Sequence, residues 1–292
     1  MATTTATFTV EDIEYAKPAG KPLLLRFFRP EGRGPFPAVV DLHGGAWHNG
    51  DRLQDNSRHE ALAERGIAVA SLDFRHGVEG AYPAGVADIN YAVRWLKARA
   101  KDLSIGADLA ISGQSSGGHL AMLVAMRPKD RRYTVEALPA GSPAVDASVR
   151  CVVMSWPVIN PLSRYRHAKR GKEAGGTWAT DLMAGHEEFW GTEANMAEGS
   201  CTMILERGEK VALPPAMWLQ APNDNAHDYR DPESPFDGNE PQRFAHAYKK
   251  AGGEIDLVYF DAPLRWTSVA PTSPAAQQAF DRIAAFVKKH LG

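Results

Sequence analysis

Short apolar runs alternate along the chain with stretches whose apolar positions recur every three or four residues. An uninterrupted apolar run reads as a strand buried on both faces, and the longer spacing as a helix with one apolar face. FTVEDIEYA (8–16) and LLLRFFRP (23–30) come first, with no helix pattern between them, and predict an antiparallel pair. FPAVVDLHGG (36–45), IAVASLDF (67–74), DLAISGQS (108–115), VRCVVMSWPV (149–158), AMWLQAP (216–222) and IDLVYFDA (255–262) follow as central strands. Helix patterns lie between them. Val86, Ile89, Val93 and Leu96 mark one apolar face over 84–100, and a second helix over 241–251 stops at Gly252-Gly253. The last helix opens with Ser273 at its cap and Pro274 at its first position, and its stripe runs through Ala276, Phe280, Ile283 and Val287. Strands alternating with helices predict an α/β protein with a mostly parallel sheet covered on both faces.

One segment breaks this rhythm. Residues 160–213 hold the basic run RYRHAKRGK, several glycines and a helix pattern around HEEFW. That is long for a plain loop in a compact domain, so it is expected to be a lid or cap inserted into a single domain spanning 1–292. The basic run is read as a solvated face of that lid in preference to a contact for an anionic substrate.

Bulk properties change this picture little. The 292 residues are 44% hydrophobic and 23% charged with a formal net charge of −2, which gives no electrostatic reason to expect nucleic acid or an acidic membrane as partner. No apolar stretch approaches transmembrane length, and the first residues lack the charged and apolar regions of a secretory signal. The two cysteines, Cys151 and Cys201, fit a reducing compartment, with Cys151 a buried hydrophobe in CVVM. The expected location is cytoplasmic, and a symmetric homodimer is the commonest arrangement if the chain self-associates.

Two motifs carry chemistry. Gly113-Gln114-Ser115-Ser116-Gly117 matches G-x-S-x-G directly after the strand run DLAI and before the helical run LAMLVAM. A sharp strand-to-helix turn of this kind lifts a serine hydroxyl above the sheet edge, next to the amides of a helix N-terminus. DLHGGAWHNGD (41–51) ends another strand run. Its adjacent Gly44 and Gly45 let the backbone approach a reacting carbonyl and, with the N–H of Ser116, aim donors at its oxygen. His43, just before these glycines, is read as bracing the loop.

HGGAW followed by GD, then DFR, YPAGVADINYAVRWL and SGQSSGGHLA, stand in the order of the α/β-hydrolase family. From about Pro22 to Leu291 the chain resembles its esterase/lipase branch, near hormone-sensitive lipase and the feruloyl- and acetyl-esterase-like proteins. The resemblance implies an eight-stranded, mostly parallel sheet with flanking helices and a lid, acting without cofactor on carboxylic esters. It implies Ser115 as nucleophile, Gly44, Gly45 and Ser116 as oxyanion donors with Ala46 a further candidate, and Asp224 as the acid, with Asp228 and Asp231 as weaker rivals. It also implies a histidine in the loop after the last strand. That loop is DAPLRWTSVAPTSP, and the slot carries Arg265.

A guanidinium stays protonated and cannot act as base, though it could pair with Asp224 across the gap. His227, three residues after Asp224 on a loop expected to rim the site, is the leading substitute. His48 and His76, on loops after strands, are lesser candidates; His186 would have to reach down from the lid. His119 is expected to be structural, and His59, His167, His246 and His290 to be surface or helix-face residues. Trp47, Trp156, Phe189 and Trp190 are candidates to face an aromatic or apolar acyl group. Two functions stay open: a serine esterase with its base in an unusual place, and a non-catalytic relative that binds a small carbonyl ligand.

Overall fold

The computed structural model describes residues 7–222, 224–263 and 265–292. Eight strands form one sheet: β1 (Phe8–Ala16), β2 (Leu23–Pro30), β3 (Phe36–Leu42), β4 (Ala68–Leu72), β5 (Ile105–Gln114), β6 (Cys151–Ser155), β7 (Ala216–Gln220) and β8 (Ile255–Tyr259). Their spatial order is β1-β2-β4-β3-β5-β6-β7-β8. β1 pairs antiparallel with β2 and β2 with β4, while every pairing from β4 to β8 is parallel. The predicted strands are all present, including the opening antiparallel pair.

Strand residues alternate between two cores, as a period of two requires. Ala38, Val40, Leu42, Val152 and Met154 face one side, where α2 (Ala84–Ala98), α3 (Ser116–Met126) and α8 (Glu240–Lys250) pack. Val39, Val69, Cys151 and Val153 face the other, covered by α1 (Asn56–Ala63) and α10 (Pro274–Leu291). Val86, Ile89, Val93 and Leu96 are all buried, as are Ala276, Phe280, Ile283 and Val287, so both predicted helix stripes face the sheet. Ser273 caps α10 by accepting the Ala276 amide hydrogen at 3.2 Å. A four-residue helix, α9 (Trp266–Val269), follows β8 and is anchored by the buried Trp266.

Between β6 and β7 stand four α-helices, α4 (Pro161–Glu173), α5 (Thr180–Trp190), α6 (Glu193–Glu198) and α7 (Cys201–Glu206), with a 3-10 turn at Thr177–Ala179 leading into α5. The basic run is therefore helical: Asn160 caps α4 by accepting from the Ser163 amide, and Pro161 fills its first turn. α5 packs against the loop after β3. A Cβ on Gly185 would lie 2.2 Å from the Ala46 carbonyl oxygen, so only a glycine lets helix and loop come this close. Cys151 and Cys201 are both buried free thiols. Among the described residues no helix is long and apolar enough to cross a membrane, and no three His, Cys, Asp or Glu side chains gather as a metal-binding group.

Candidate functional site

Ser115 occupies the turn from β5 into α3 with φ 51° and ψ −120°, a conformation costly for a residue with a Cβ. Its neighbours hold it there. The Ser115 amide donates to Ser155 O at 3.0 Å, and its carbonyl accepts from the Val158 amide at 3.0 Å. The turn can be this sharp only because α3 begins against the end of β3. A Cβ on Gly117 would meet the carbonyl oxygens of Leu42 and His43 at 2.3 Å. Although Ser115 stands at the cap position of α3, its hydroxyl makes no capping bond. It lies 2.9 Å from His227 Nε2 instead.

The Gly44–Trp47 loop lies directly against the serine, since a Cβ on Gly44 would be 3.5 Å from Ser115 Cβ. Gly45, at φ 110°, closes a tight turn whose carbonyl accepts from the amides of His48 and Asn49, each at 3.1 Å. His43 is buried, stacks on Phe74 at 4.3 Å, and contacts Gly44 O through Nδ1 at 2.7 Å. Burial pushes its pKa down to about 4, so it stays neutral, as suits a brace.

Asp224 and His227 belong to one turn after β7. The Asp224 carbonyl accepts from the amides of His227 and Asp228 at 3.0 and 2.6 Å, which folds the chain back on itself. The side chains then meet: His227 Nδ1 lies 2.8 Å from Asp224 Oδ2 and 3.0 Å from Oδ1. The Ala226 amide donates to Oδ1 at 3.1 Å and Gln220 Nε2 to Oδ2 at 3.4 Å, with Gln220 itself fixed by the Trp218 indole at 2.9 Å. Burial would raise the Asp224 pKa, but the bond to His227, that ring's charge and the Ala226 amide hold it below the ordinary aspartate value. Burial also lowers the pKa of His227, against the opposing pull of Asp224, and Arg164 lowers it further. With Nδ1–H donating to the carboxylate, Nε2 of neutral His227 is left as an acceptor toward the Ser115 hydroxyl.

The other candidates lie elsewhere. Arg265 is exposed and stands at the cap position just before α9; Asp224 is engaged by His227, and among the described residues it forms no pair with Arg265, the alternative the sequence left open. Asp228 bonds Asn239 and Asp231 pairs with Arg243, away from the imidazole. His48 faces Glu188 at 3.5 Å, and His76 stands edge-on to His43 at 5.8 Å. His119 is buried and bonds Gly199 O at 2.9 Å, a structural role as expected. His59, expected as a surface or helix-face residue, does lie on a helix, α1, but on its buried face. It is fully buried with Nε2 2.7 Å from Asp41 Oδ2, and Arg58 reaches Oδ1 of the same carboxylate at 2.8 Å.

Trp47, Phe189 and Trp190 pack together with His186 against the glycine loop, their ring centroids 4.7–6.4 Å apart. Trp156 is separate: it packs on Trp266 at 5.0 Å in the other core. The basic run also needs correction. Arg166 and Arg170 do pair with Glu193 and Glu233 at the surface, but Arg164 is 2% exposed. Nothing in the sequence marks it, because the core-facing side of α4 there also carries Ser163 and His167.

Comparison with known proteins agrees with the architecture. The family model named BD-FAE matches residues 26–197, more than half of the chain. An esterase from Pyrobaculum calidifontis superposes with a TM-score of 0.74 at 24% identity, covering 98% of this chain and 87% of that one, and shares the α/β-hydrolase fold. The probable carboxylic ester hydrolase LipM of Mycobacterium tuberculosis is 34% identical over 102 residues, 34% of this chain and 24% of that protein. The gibberellin receptor GID1C of Arabidopsis thaliana is 23% identical over 301 residues, 91% of this chain and 77% of that protein. The chain spans about a quarter to a third of the length of the curated esterases it matches.

Proposed function

The chain belongs to the BD-FAE family within the esterase/lipase branch of the α/β-hydrolases, and from that premise we propose that it is a serine hydrolase of small carboxylic esters. The observation that carries this reading is the hydrogen-bonded line from Ser115 Oγ to His227 Nε2 at 2.9 Å and from His227 Nδ1 to Asp224 Oδ2 at 2.8 Å. It is the order of nucleophile, base and orienting acid that acyl transfer requires.

In this mechanism Ser115 Oγ attacks the ester carbonyl while His227 Nε2 takes its proton. Asp224 holds the ring in the tautomer that leaves Nε2 free and stabilises the imidazolium that forms. The amides of Gly44, Gly45 and Ser116 receive the negative charge on the carbonyl oxygen. His227 returns the proton to the leaving alkoxide as the C–O bond breaks, giving an acyl-Ser115 and free alcohol. Water then repeats the sequence, with His227 as base again, and releases the acid. The helices α4–α7 serve as the lid, with α5 seated on the Gly44–Trp47 loop through Trp47, His186 and Trp190. The strained backbone of Ser115 supports the same assignment, because such conformations persist where surrounding contacts enforce them for function.

A second reading, a non-catalytic relative that binds a small carbonyl ligand, draws on the likeness to a receptor over nearly the whole chain. One experiment separates the two. Pre-steady-state hydrolysis of 4-nitrophenyl acetate should show a burst, and a serine-directed phosphonate should label Ser115. If parent and Ser115→Ala behave alike in both measurements, the hydrolase reading fails and the binding reading stands.

A further inference from the structure

Arg164 is the one arginine of the basic run that the fold takes out of water. It lies on the face of α4 that packs against the Asp224–His227 turn. On either side of it, Ser163 Oγ accepts from the Tyr229 hydroxyl at 3.2 Å, and His167 stacks on Tyr229 at 4.0 Å and bonds Asn225 O at 2.9 Å. At 2% exposure Arg164 remains cationic, because a guanidinium does not deprotonate in a protein. Yet its Nε and Nη1 have no hydrogen-bond partner among the described residues. Asp224, the turn acid whose charge acts on Arg164, is spoken for, both its oxygens being occupied by His227, Ala226 and Gln220. Tyr229 and Asp224 are the groups that favour its charge, and His186 and His227 are the rings its charge acts on.

A buried cation with two idle donors is costly unless an anion completes it. Here the position is beside the acid and base of the site. His186, a ring of α5 whose pKa the Arg164 charge lowers, also has a buried Nε2 without a partner among the described residues, and it packs on Trp47 of the glycine loop at 4.7 Å. Trp47 Nε1 and Trp190 Nε1, in the same ring cluster, are buried donors that likewise lack partners among the described residues. Polar atoms left unpaired between the lid helices and the glycine loop are not what a site for purely apolar chains would hold.

We propose that Arg164 is the specificity residue of this site and that the preferred substrate is an ester bearing a carboxylate, which the guanidinium binds. The inference rests on the serine-hydrolase reading for its catalytic consequence and not for the binding itself. The planar fork offers paired N–H donors to a carboxylate, a geometry that lysine does not reproduce.

The test compares matched esters. On the acyl side the 4-nitrophenyl monoester of glutarate is set against 4-nitrophenyl valerate; on the alcohol side 4-acetoxybenzoate is set against phenyl acetate. The parent should favour the anion in one pair, and that pair locates the carboxylate. In Arg164→Met the ratio of kcat/KM values, anionic over neutral, should fall by about 10² or more, with Arg164→Lys in between, as losing a charge-assisted hydrogen-bonded pair predicts. Taking the ratio within each variant removes any general loss of chemistry. A parent that prefers the neutral ester in both pairs, or a ratio that Arg164→Met leaves unchanged, overturns the proposal. Binding is read separately in Ser115→Ala by calorimetry with glutarate and 4-hydroxybenzoate. Saturable binding that disappears in Ser115→Ala/Arg164→Met supports the proposal even where no ester is hydrolysed, and that outcome would overturn the hydrolase reading alone. Absence of binding and of anion preference together overturns the assignment of Arg164.

Discussion

Asp224 and His227 stand three residues apart on one turn, and their side chains meet at 2.8 Å. The base candidate therefore arrives with its orienting acid on a single loop, where the family resemblance implied two separate loops. Because the turn is closed by backbone bonds from His227 and Asp228 to the Asp224 carbonyl, the pair keeps its geometry without help from the loop after β8. This makes the role of His227 testable in isolation. His227→Ala should lower kcat for an activated aryl ester by about 10³-fold or more, as loss of a triad base does, while thermal unfolding moves little by comparison. An unchanged kcat would remove His227 from the mechanism.

The same geometry gives an expectation for Arg265. Its side chain is exposed, and the ring facing Ser115 is already present. Arg265→His should therefore leave kcat/KM within about an order of magnitude of the parent, short of the ~10²–10⁴ that a newly supplied general base contributes. A gain of that larger size would mean that the slot after β8 is vacant and that His227 is not the working base.

The pH dependence follows from the environment of His227. Burial disfavours the imidazolium, Asp224 favours it, and Arg164 opposes it; the net effect is a pKa below the ordinary histidine value of about 6.5. A base works only when neutral, so activity rises with pH through this pKa and is level above it. The acid limb of the kcat/KM profile should accordingly lie below pH ~6.5. Asp224→Asn removes the influence that raises the pKa and should shift the limb further down, in addition to lowering kcat by about 10²–10⁴. Arg164→Met should shift it up. Stopped-flow profiles on the three proteins check all three signs, and a limb above 6.5 in the parent would contradict the burial argument.

Sequence reasoning reached most of the fold because the strands are buried on both faces and so read as uninterrupted apolar runs. It placed the sharp turn at Ser115 for a related reason: a strand-to-helix turn this tight excludes a side chain at Gly117, so the requirement is written in residue type. Where burial is polar, the pattern fails. α1 shows no apolar stripe because two of its buried residues are Arg58 and His59, held by Asp41, and His59 accordingly reads as a surface or helix-face residue and not as a core one. Arg164 is misread in the same way, since a buried guanidinium and a solvated one look alike in a basic run. The partner of Ser115 was legible only as a ranking among ten histidines, because nothing local in the sequence says that the turn after Asp224 folds back.

That buried polar cluster gives the last prediction. Asp41 is the penultimate residue of β3, two residues before His43, and its carboxylate is shared by Arg58, His59 and Ser112, which lies opposite it on β5. Burial alone would raise its pKa, but these three partners hold it well below the usual carboxylate range. Arg58 is 0% exposed, and its Nε and Nη1 have no other partner among the described residues. Removing the carboxylate thus leaves an unpaired cation in the core, the case in which breaking a buried pair costs about 3–5 kcal/mol. Asp41→Ala should lose stability of that order in denaturant unfolding. The double variant Asp41→Leu/Arg58→Met, which removes the charge together with its partner, should recover much of it. Because Asp41 anchors the strand that delivers the glycine loop, the single variant should also lose kcat on a neutral ester, and the double variant should regain it only if loop position follows strand stability. A loss below about 1 kcal/mol in the single variant, the scale of a surface ion pair, would show that Arg58 finds water when its partner is gone.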